Sequence, residues 1–291
     1  MQEFDFHKPE TLDELKNASL DENCGFIAGG TDLLPRWNRY NSLQHKRVWI
    51  DLTHISELRF IDEEESHIQI GALCTHNDLL ESDVLKKYTP ALIQAAESIG
   101  CVQTRNRGTL GGNLANASPA ADCAPPLLTL KAKVNIYGQQ GIRQAKLESF
   151  FTSPGNSILT EQEIIHSISF AKPSGVWGSS FIKHGNRQGM AISVASAAAF
   201  IILDQEGRII KVRIAVGSLA PTPVRVRSAE EVVLETNNLQ KTLKLIPDLI
   251  FKEINPIDDL RATAFHRNQT GAILISRAVK QAYVAAKGRL P

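Results

Sequence analysis

Phe26-Ile27-Ala28-Gly29-Gly30-Thr31-Asp32-Leu33-Leu34 is the stretch that decides how the N-terminal half of this chain is read. A short apolar strand, Gly25 to Ala28, runs into paired glycines, and Thr31 and Asp32 can cap the helix that follows. Glycine lets a ligand approach the main chain closely and leaves successive N–H groups available to an anion. Thr31 adds a hydroxyl beside them. A pyrophosphate requires this combination. The spacing is not G-x-G-x-x-G, so the stretch is no Rossmann fingerprint, and by itself it also reads as an ordinary strand-to-helix turn.

A second stretch, Gly108-Thr109-Leu110-Gly111-Gly112-Asn113, repeats the same chemistry. It lies within Gln103 to Asp122, a long polar and glycine-rich segment with little periodicity, and such segments inside compact domains are usually functional. Asn116, Ser118 and Asp122 add hydrogen-bonding groups without a metal-ligand pattern. Two loops of this kind in one domain suit a dinucleotide, whose diphosphate is flanked by hydroxyls. A third stretch, Phe181 to Arg187 (FIKHGNR), carries Lys183, a cation that could stabilise the anion of a reduced heterocycle. A lone strand lysine otherwise reads as a solvated charge. His184 has no carboxylate or nucleophile at a telling spacing and receives no role. Arg105 and Arg107 read equally as phosphate binders or partners of acids.

The rest of the chain frames these loops. Its 291 residues are enough for about two domains and for a core without disulfide or metal staples. Hydrophobic residues at 43%, charged residues at 22% and a net charge of +1 describe a soluble globular protein and argue against a dedicated polyanion binder. Val194 to Leu203, the longest apolar stretch, is far short of a membrane span, and the N-terminus has no secretory pattern, so the chain is expected to be cytoplasmic. Cys24, Cys74, Cys101 and Cys123 are scattered singly, and the eight histidines form no HExxH, so no metal site is expected.

A βαβ-like pattern covers the first 60 residues, with Thr11 capping a helix that carries Leu12, Leu15 and Leu20. A strand at His67 to Ala72 follows, then helices from Thr75 and Ser82, a helix opened by Pro90, a helix after Ala124, a hairpin, and a strand at Ile164 to Phe170. Lys172-Pro173-Ser174-Gly175 is the linker candidate. Beyond it, strands at Ser179 to His184, Ala191 to Leu203 and Arg208 to Gly217 precede helices at Ser228 to Leu234, Leu239 to Phe251 and Leu260 to Lys287, an α+β arrangement.

Together, Ile27–Leu34 (IAGGTDLL), Arg105–Asn113 (RNRGTLGGN) with Ala117-Ser118-Pro119 and Asp122, Thr152–Leu159 (TSPGNSIL), Lys183 with Arg187, and Ala220–Arg225 (APTPVR) resemble the FAD-binding subunit of the molybdenum hydroxylases. That family includes bacterial xanthine dehydrogenases, carbon monoxide dehydrogenase and nicotinate dehydrogenase. The resemblance covers essentially the whole chain in the family's order. It implies an α+β fold, with a p-cresol methylhydroxylase-type FAD-binding domain of two small α/β subdomains over residues 1–173. A carbon monoxide dehydrogenase flavoprotein C-terminal-like domain over 176–289 would follow.

The same resemblance implies that Ile27, Ala28, Gly29, Gly30, Thr31, Asp32, Leu33 and Leu34 wrap the diphosphate and neighbouring parts of FAD. Thr109, Leu110, Gly111, Gly112 and Asn113 would complete the grip. Asp122 matches an acidic position contacting the cofactor, Ile165 an aliphatic one beside the flavin, and Lys183 a basic one near its pyrimidine end. Ile99 falls where some relatives place an aromatic side chain. No catalytic acid or base is implied. The chain lacks cysteine sets for iron–sulfur clusters. It is therefore expected to be one subunit of a heteromeric oxidoreductase whose partners carry [2Fe–2S] clusters and molybdopterin. Such a subunit passes electrons from the clusters through FAD to NAD+ or another acceptor, while a substrate such as xanthine is oxidised elsewhere. Two other classes compete: a self-sufficient flavin oxidase of the vanillyl-alcohol oxidase type, and a non-catalytic interaction protein that has lost the cofactor.

Overall fold

The computed structural model describes residues 5–19, 23–40, 48–235, 238–251 and 253–290. Its first lobe is a three-stranded parallel sheet in the order Asp5–His7, Val48–Asp51, Cys24–Ile27. Parallel pairing needs crossovers, and the helices Leu12–Ala18 and Leu33–Tyr40 supply them. Thr11 caps the first by accepting the Glu14 amide at 3.1 Å. Leu15 is buried beneath it; Leu20, expected on the same face, lies outside the described residues.

The second lobe is built on a larger sheet. Its five strands run antiparallel in the order Ile61–Glu63, His67–Gly71, Ile164–Ala171, Lys133–Gly138, Gly141–Lys146, so this half of the domain is α+β. Helices His76–Glu81, Asp83–Tyr88, Pro90–Glu97 and Ala124–Thr129 complete it, and Ile68, Ile70, Leu92, Leu127, Val134 and Ile168 join in one core. Thr75 forms a capping box with Asp78, and Ser82 ends one helix and caps the next.

The segment Gln103 to Asp122 is not structureless. Short helices occupy Val102–Arg105 and Leu110–Ala115. The second hides two glycines because tertiary bonds hold it: the amides of Leu110 and Gly111 donate to the carbonyls of Cys74 and Ala72 at 2.9 and 2.8 Å.

After Lys172–Gly175 the chain enters a four-stranded antiparallel sheet, Val176–His184, Ala195–Leu203, Ile209–Gly217 and Val224–Arg225. The middle strand starts at Ala195 rather than Ala191, because Gly185 to Val194 loops outward before Val194 rejoins at the His184 carbonyl. Ala195–Leu203 is almost wholly apolar because the sheet is covered on both faces. Helix Ala264–Lys287 packs Ala272, Ile275, Ala278, Val279 and Ala282 on one face. The first domain covers the other, where Ala91 and Ala95 meet Phe181 and Ala198. The helix expected over Leu239 to Phe251 is two, Leu239–Leu243 and Ile246–Ile250, since Pro247 has no N–H to continue the first.

Small residues let the long helix sit close to the sheet. At Gly178 a Cβ would lie 2.2 Å from the Ala282 carbonyl oxygen and 2.4 Å from the Ala286 nitrogen. Gly178→Ala must push helix and sheet apart, and we expect about 1–3 kcal/mol of destabilisation by chemical denaturation. An unchanged midpoint would show that the contact is looser than this.

Candidate cofactor site

The two glycine loops come from different lobes and touch. At Gly29 a Cβ would fall 1.9 Å from the Arg107 carbonyl oxygen and 3.1 Å from Gly108 Cα, so only glycine admits this approach. Gly30 has a φ of +68°, in the left-handed region. This turns the main chain so that the amides of Gly30, Thr31 and Asp32 find no acceptor among the described residues. The Asp32 carboxylate pairs with Arg36 at 2.8 Å on the exposed rim.

Beside this loop lies a cleft of about 540 Å³, a size suited to an organic ligand. Ile27, Ala28, Gly29, Gly30, Thr31, Asp32, Leu33, Ile99, Thr109, Gly112, Asn113, Asp122 and Lys183 all line it. Four other expected residues do not. Leu34 is 47% exposed beside Gly30, while Leu110 and Gly111 are buried and spend their amides on the turn that follows strand His67–Gly71. Ile165 is buried in the core of that lobe.

Thr109 accepts the Gly112 amide at 3.0 Å and thereby shapes the second loop. Asn113 follows, and its Oδ1 is buried with no hydrogen-bond partner among the described residues. A buried acceptor left unmade costs about 1–3 kcal/mol, so this oxygen is poised for a donor from a ligand. The glycine cradle, the three unspent amides and this acceptor fit a diphosphate flanked by sugar hydroxyls. Gly155 of the TSPGNSIL segment reaches the same cleft by donating to the Ala117 carbonyl at 2.9 Å.

Lys183 is not a solvated strand charge. Its Nζ meets Asp122 Oδ2 at 2.6 Å, the two side chains being 11% and 5% exposed, and it also donates to the Ser98 carbonyl at 3.1 Å. The Ser193 hydroxyl donates to the other Asp122 oxygen. Burial pushes the Asp122 carboxyl up, against the opposing pull of Lys183 and Ser193. The cluster joins the two domains at the cleft wall, and the bond from the Phe181 amide to Gln94 Oε1 at 2.7 Å joins them away from it.

Sequence reasoning missed His76, which also lines the cleft. It is buried, and its Nδ1 lies 3.9 Å from Cys123 Sγ. Burial first, and Arg105 second, push the imidazole down to about 4, so it is neutral at pH 7. The unfolded chain binds this proton near pH 6.5 and the folded one does not, so stability is present above 6.5 and is lost as pH falls toward 4. His76→Gln should therefore flatten the acid limb of the stability profile by about 3 kcal/mol between pH 7 and 4. An acid limb as steep as that of the parent chain would mean that another group titrates there. Met190 and Ile192, which line the cleft, and Ser193, which bonds Asp122, were missed as well, since only the outward loop after His184 brings them there.

A glycine-cradled cleft whose lining fits a dinucleotide, closed on one side by a second α+β domain, is an arrangement suited to a flavoprotein-type cofactor carrier. The family described as the FAD binding domain in molybdopterin dehydrogenase matches residues 2–173, and the CO dehydrogenase flavoprotein C-terminal domain matches residues 180–282. The chain is 32% identical to the xanthine dehydrogenase FAD-binding subunit of Escherichia coli O157:H7, with 99% of each chain covered. It is also 32% identical to the nicotinate dehydrogenase FAD-subunit of Eubacterium barkeri, covering 86% of this chain and 88% of that one. Its structure is similar to that of a chain of carbon monoxide dehydrogenase from Hydrogenophaga pseudoflava, with a TM-score of 0.91, 28% identity and coverage of 97% and 98%. The chain belongs to the FAD-binding medium subunits of the xanthine dehydrogenase and carbon monoxide dehydrogenase family, and is an oxidoreductase subunit. Among the described residues no helix is long and apolar enough to cross a membrane.

Proposed function

We propose that this chain holds FAD in the cleft between its glycine loops and serves as the electron-exit subunit of a cytoplasmic heteromeric molybdenum hydroxylase. The observation that carries this is the pairing of the unspent amides of Gly30, Thr31 and Asp32 with the unpartnered Asn113 Oδ1 across one cleft. When bound, FAD can be filled one electron at a time and emptied in pairs, and so links iron–sulfur donors in a partner to an acceptor such as NAD+. The chain's own residues bind and orient. The Gly30–Asp32 amides face the diphosphate, Asn113 accepts from a hydroxyl, and Lys183 with Asp122 sets a fixed charge pair at the far wall. No general acid or base is required of this subunit. Xanthine or another N-heterocycle is the proposed substrate, oxidised at molybdenum in another subunit; the xanthine dehydrogenase relative supports it.

The test is the visible spectrum of the purified chain, with identification of any released cofactor and titration with FAD. Bound or readily taken-up FAD, followed by reduction with NADH, is expected. A chain that neither contains nor takes up flavin would defeat the assignment and favour the interaction-protein alternative. Co-purification with cluster- and molybdenum-bearing chains tests the partners.

A further inference from the structure

A second cleft, of about 560 Å³, opens on a different part of the molecule, where the five-stranded sheet meets the C-terminal sheet. We propose that it is a second ligand site, for a small phosphate-bearing anion held by Lys131, Lys133, Lys211 and Arg213 at the domain junction. It is independent of the flavin assignment.

The cations converge from both domains. Lys131 and Lys133 lie two residues apart at the start of strand Lys133–Gly138. Lys211 and Arg213 lie two apart on strand Ile209–Gly217, hence on one face of their sheet. None of these four has a carboxylate partner among the described residues. Lys133 also stands directly opposite Lys146 across the hairpin, an unfavourable like-charge pair. Nearby acids are few: Glu63 is engaged by Lys172 at 2.8 Å, Glu230 by Arg225, and Glu64, on the cleft's rim, has no ion pair among the described residues.

Arg213 is the informative member. Its side chain is part-buried, one nitrogen donates to the Thr129 carbonyl at 2.7 Å, and its guanidinium lies 5.4 Å from the centre of the Phe200 ring. Burial pushes this guanidinium down, and the one carboxylate that acts on it, Glu230, is already paired with Arg225, so an arriving anion is favoured. The mutual repulsion is felt next door, where Arg213 foremost, then burial, pushes the Lys131 ammonium down. Lys131 also occupies a left-handed conformation, φ +55°, that favours glycine. The fork of Arg213 flanked by three ammonium groups suits phosphate oxygens, which accept several charge-assisted bonds at once. Asn135, Gln69 and Gln144 form a hydrogen-bonded polar wall able to meet the hydroxyls of a phosphate ester.

Calorimetric titration of the full chain with inorganic phosphate, pyrophosphate and ribose 5-phosphate, with and without excess FAD, tests this. The comparison variant is Lys131→Gly with Lys211→Ser; glycine suits the left-handed position, so the fold is preserved, as an unchanged melting temperature will verify. The wild-type chain is expected to bind at least one probe saturably, more weakly at high salt and equally with FAD present, with affinity on the order of tenfold or more lower in the variant. Tighter binding of ribose 5-phosphate than of free phosphate supports a phosphate ester as ligand, and equal binding supports phosphate alone. No saturable binding, binding unchanged in the variant, or binding abolished by FAD would overturn the proposal. So would capture of an acidic peptide but of no phosphate, which would make the cleft a protein-docking surface.

Discussion

Gly29→Val is expected to weaken FAD uptake by about 100-fold or more, close to 3 kcal/mol of binding free energy. The reason is backbone geometry. The first atom of the new side chain would fall 1.9 Å from the Arg107 carbonyl oxygen and 2.6 Å from its carbon. That carbonyl cannot swing away cheaply, because the turn carrying it is tied at both ends. The amides of Arg107 and Gly108 donate to the Thr104 carbonyl at 3.2 and 2.7 Å, and the His76 amide donates to the Gly108 carbonyl at 3.0 Å. The loop of Gly30, Thr31 and Asp32 must therefore retreat, and its amides lose their aim at the cleft. Gly141→Val is the control: its φ is +93°, but a Cβ there meets nothing within 4 Å, so it carries backbone strain without touching the cleft. Flavin titration with thermal melts separates the two effects. Normal uptake by Gly29→Val would show that the loops need not touch to hold the cofactor.

The second large effect is at the domain junction. Lys183→Ala strands the Asp122 carboxylate in a site where its side chain is 5% exposed, leaving only the Ser193 hydroxyl and the protein's dipoles to stabilise it. Breaking a buried pair by removing one partner costs about 3–5 kcal/mol. The loss should be largest at neutral pH. Without Lys183 the carboxyl, already raised by burial, rises further, and acidification that protonates it in both folded and unfolded chains removes the penalty. Lys183→Met with Asp122→Leu should recover most of the stability, as apolar replacement of a buried pair commonly does. Denaturant melts at pH 7 and pH 4 check both statements. A loss under about 1 kcal/mol, the range of exposed pairs, would mean that water reaches the pair.

Much of this molecule was legible in its sequence because the signals are local. Thr11, Thr75 and Ser82 cap helices through their own neighbouring amides, and Pro90 starts one because its missing N–H is not needed there. The turn at Asp204–Gly207 rests on equally local bonds, Asp204 accepting the amides of Glu206 and Arg208. Beyond its hairpin, the pairing of the second lobe's strands was not legible. Its central strand Ile164–Ala171 pairs with His67–Gly71 from almost a hundred residues earlier, and no local pattern states a partner's direction. The short helix Leu110–Ala115 was hidden for a similar reason, since bonds to Ala72 and Cys74 override its glycines.

Both glycine loops of the candidate site were present in the order of residues, because a glycine pair flanked by threonine is a composition that only a few backbone uses require. The sequence alone thus determined two anion-suited loops, a two-part chain and the absence of cluster-ligating cysteines. Tertiary structure decided the rest: that Gly29 rests on Arg107, that Asn113 Oδ1 is left waiting, that Lys183 is buried against Asp122, and that His76 turns into the cleft. The physical reason is that burial and pairing depend on what the rest of the chain brings near. A lysine's sequence neighbours are identical whether water or a carboxylate faces its ammonium.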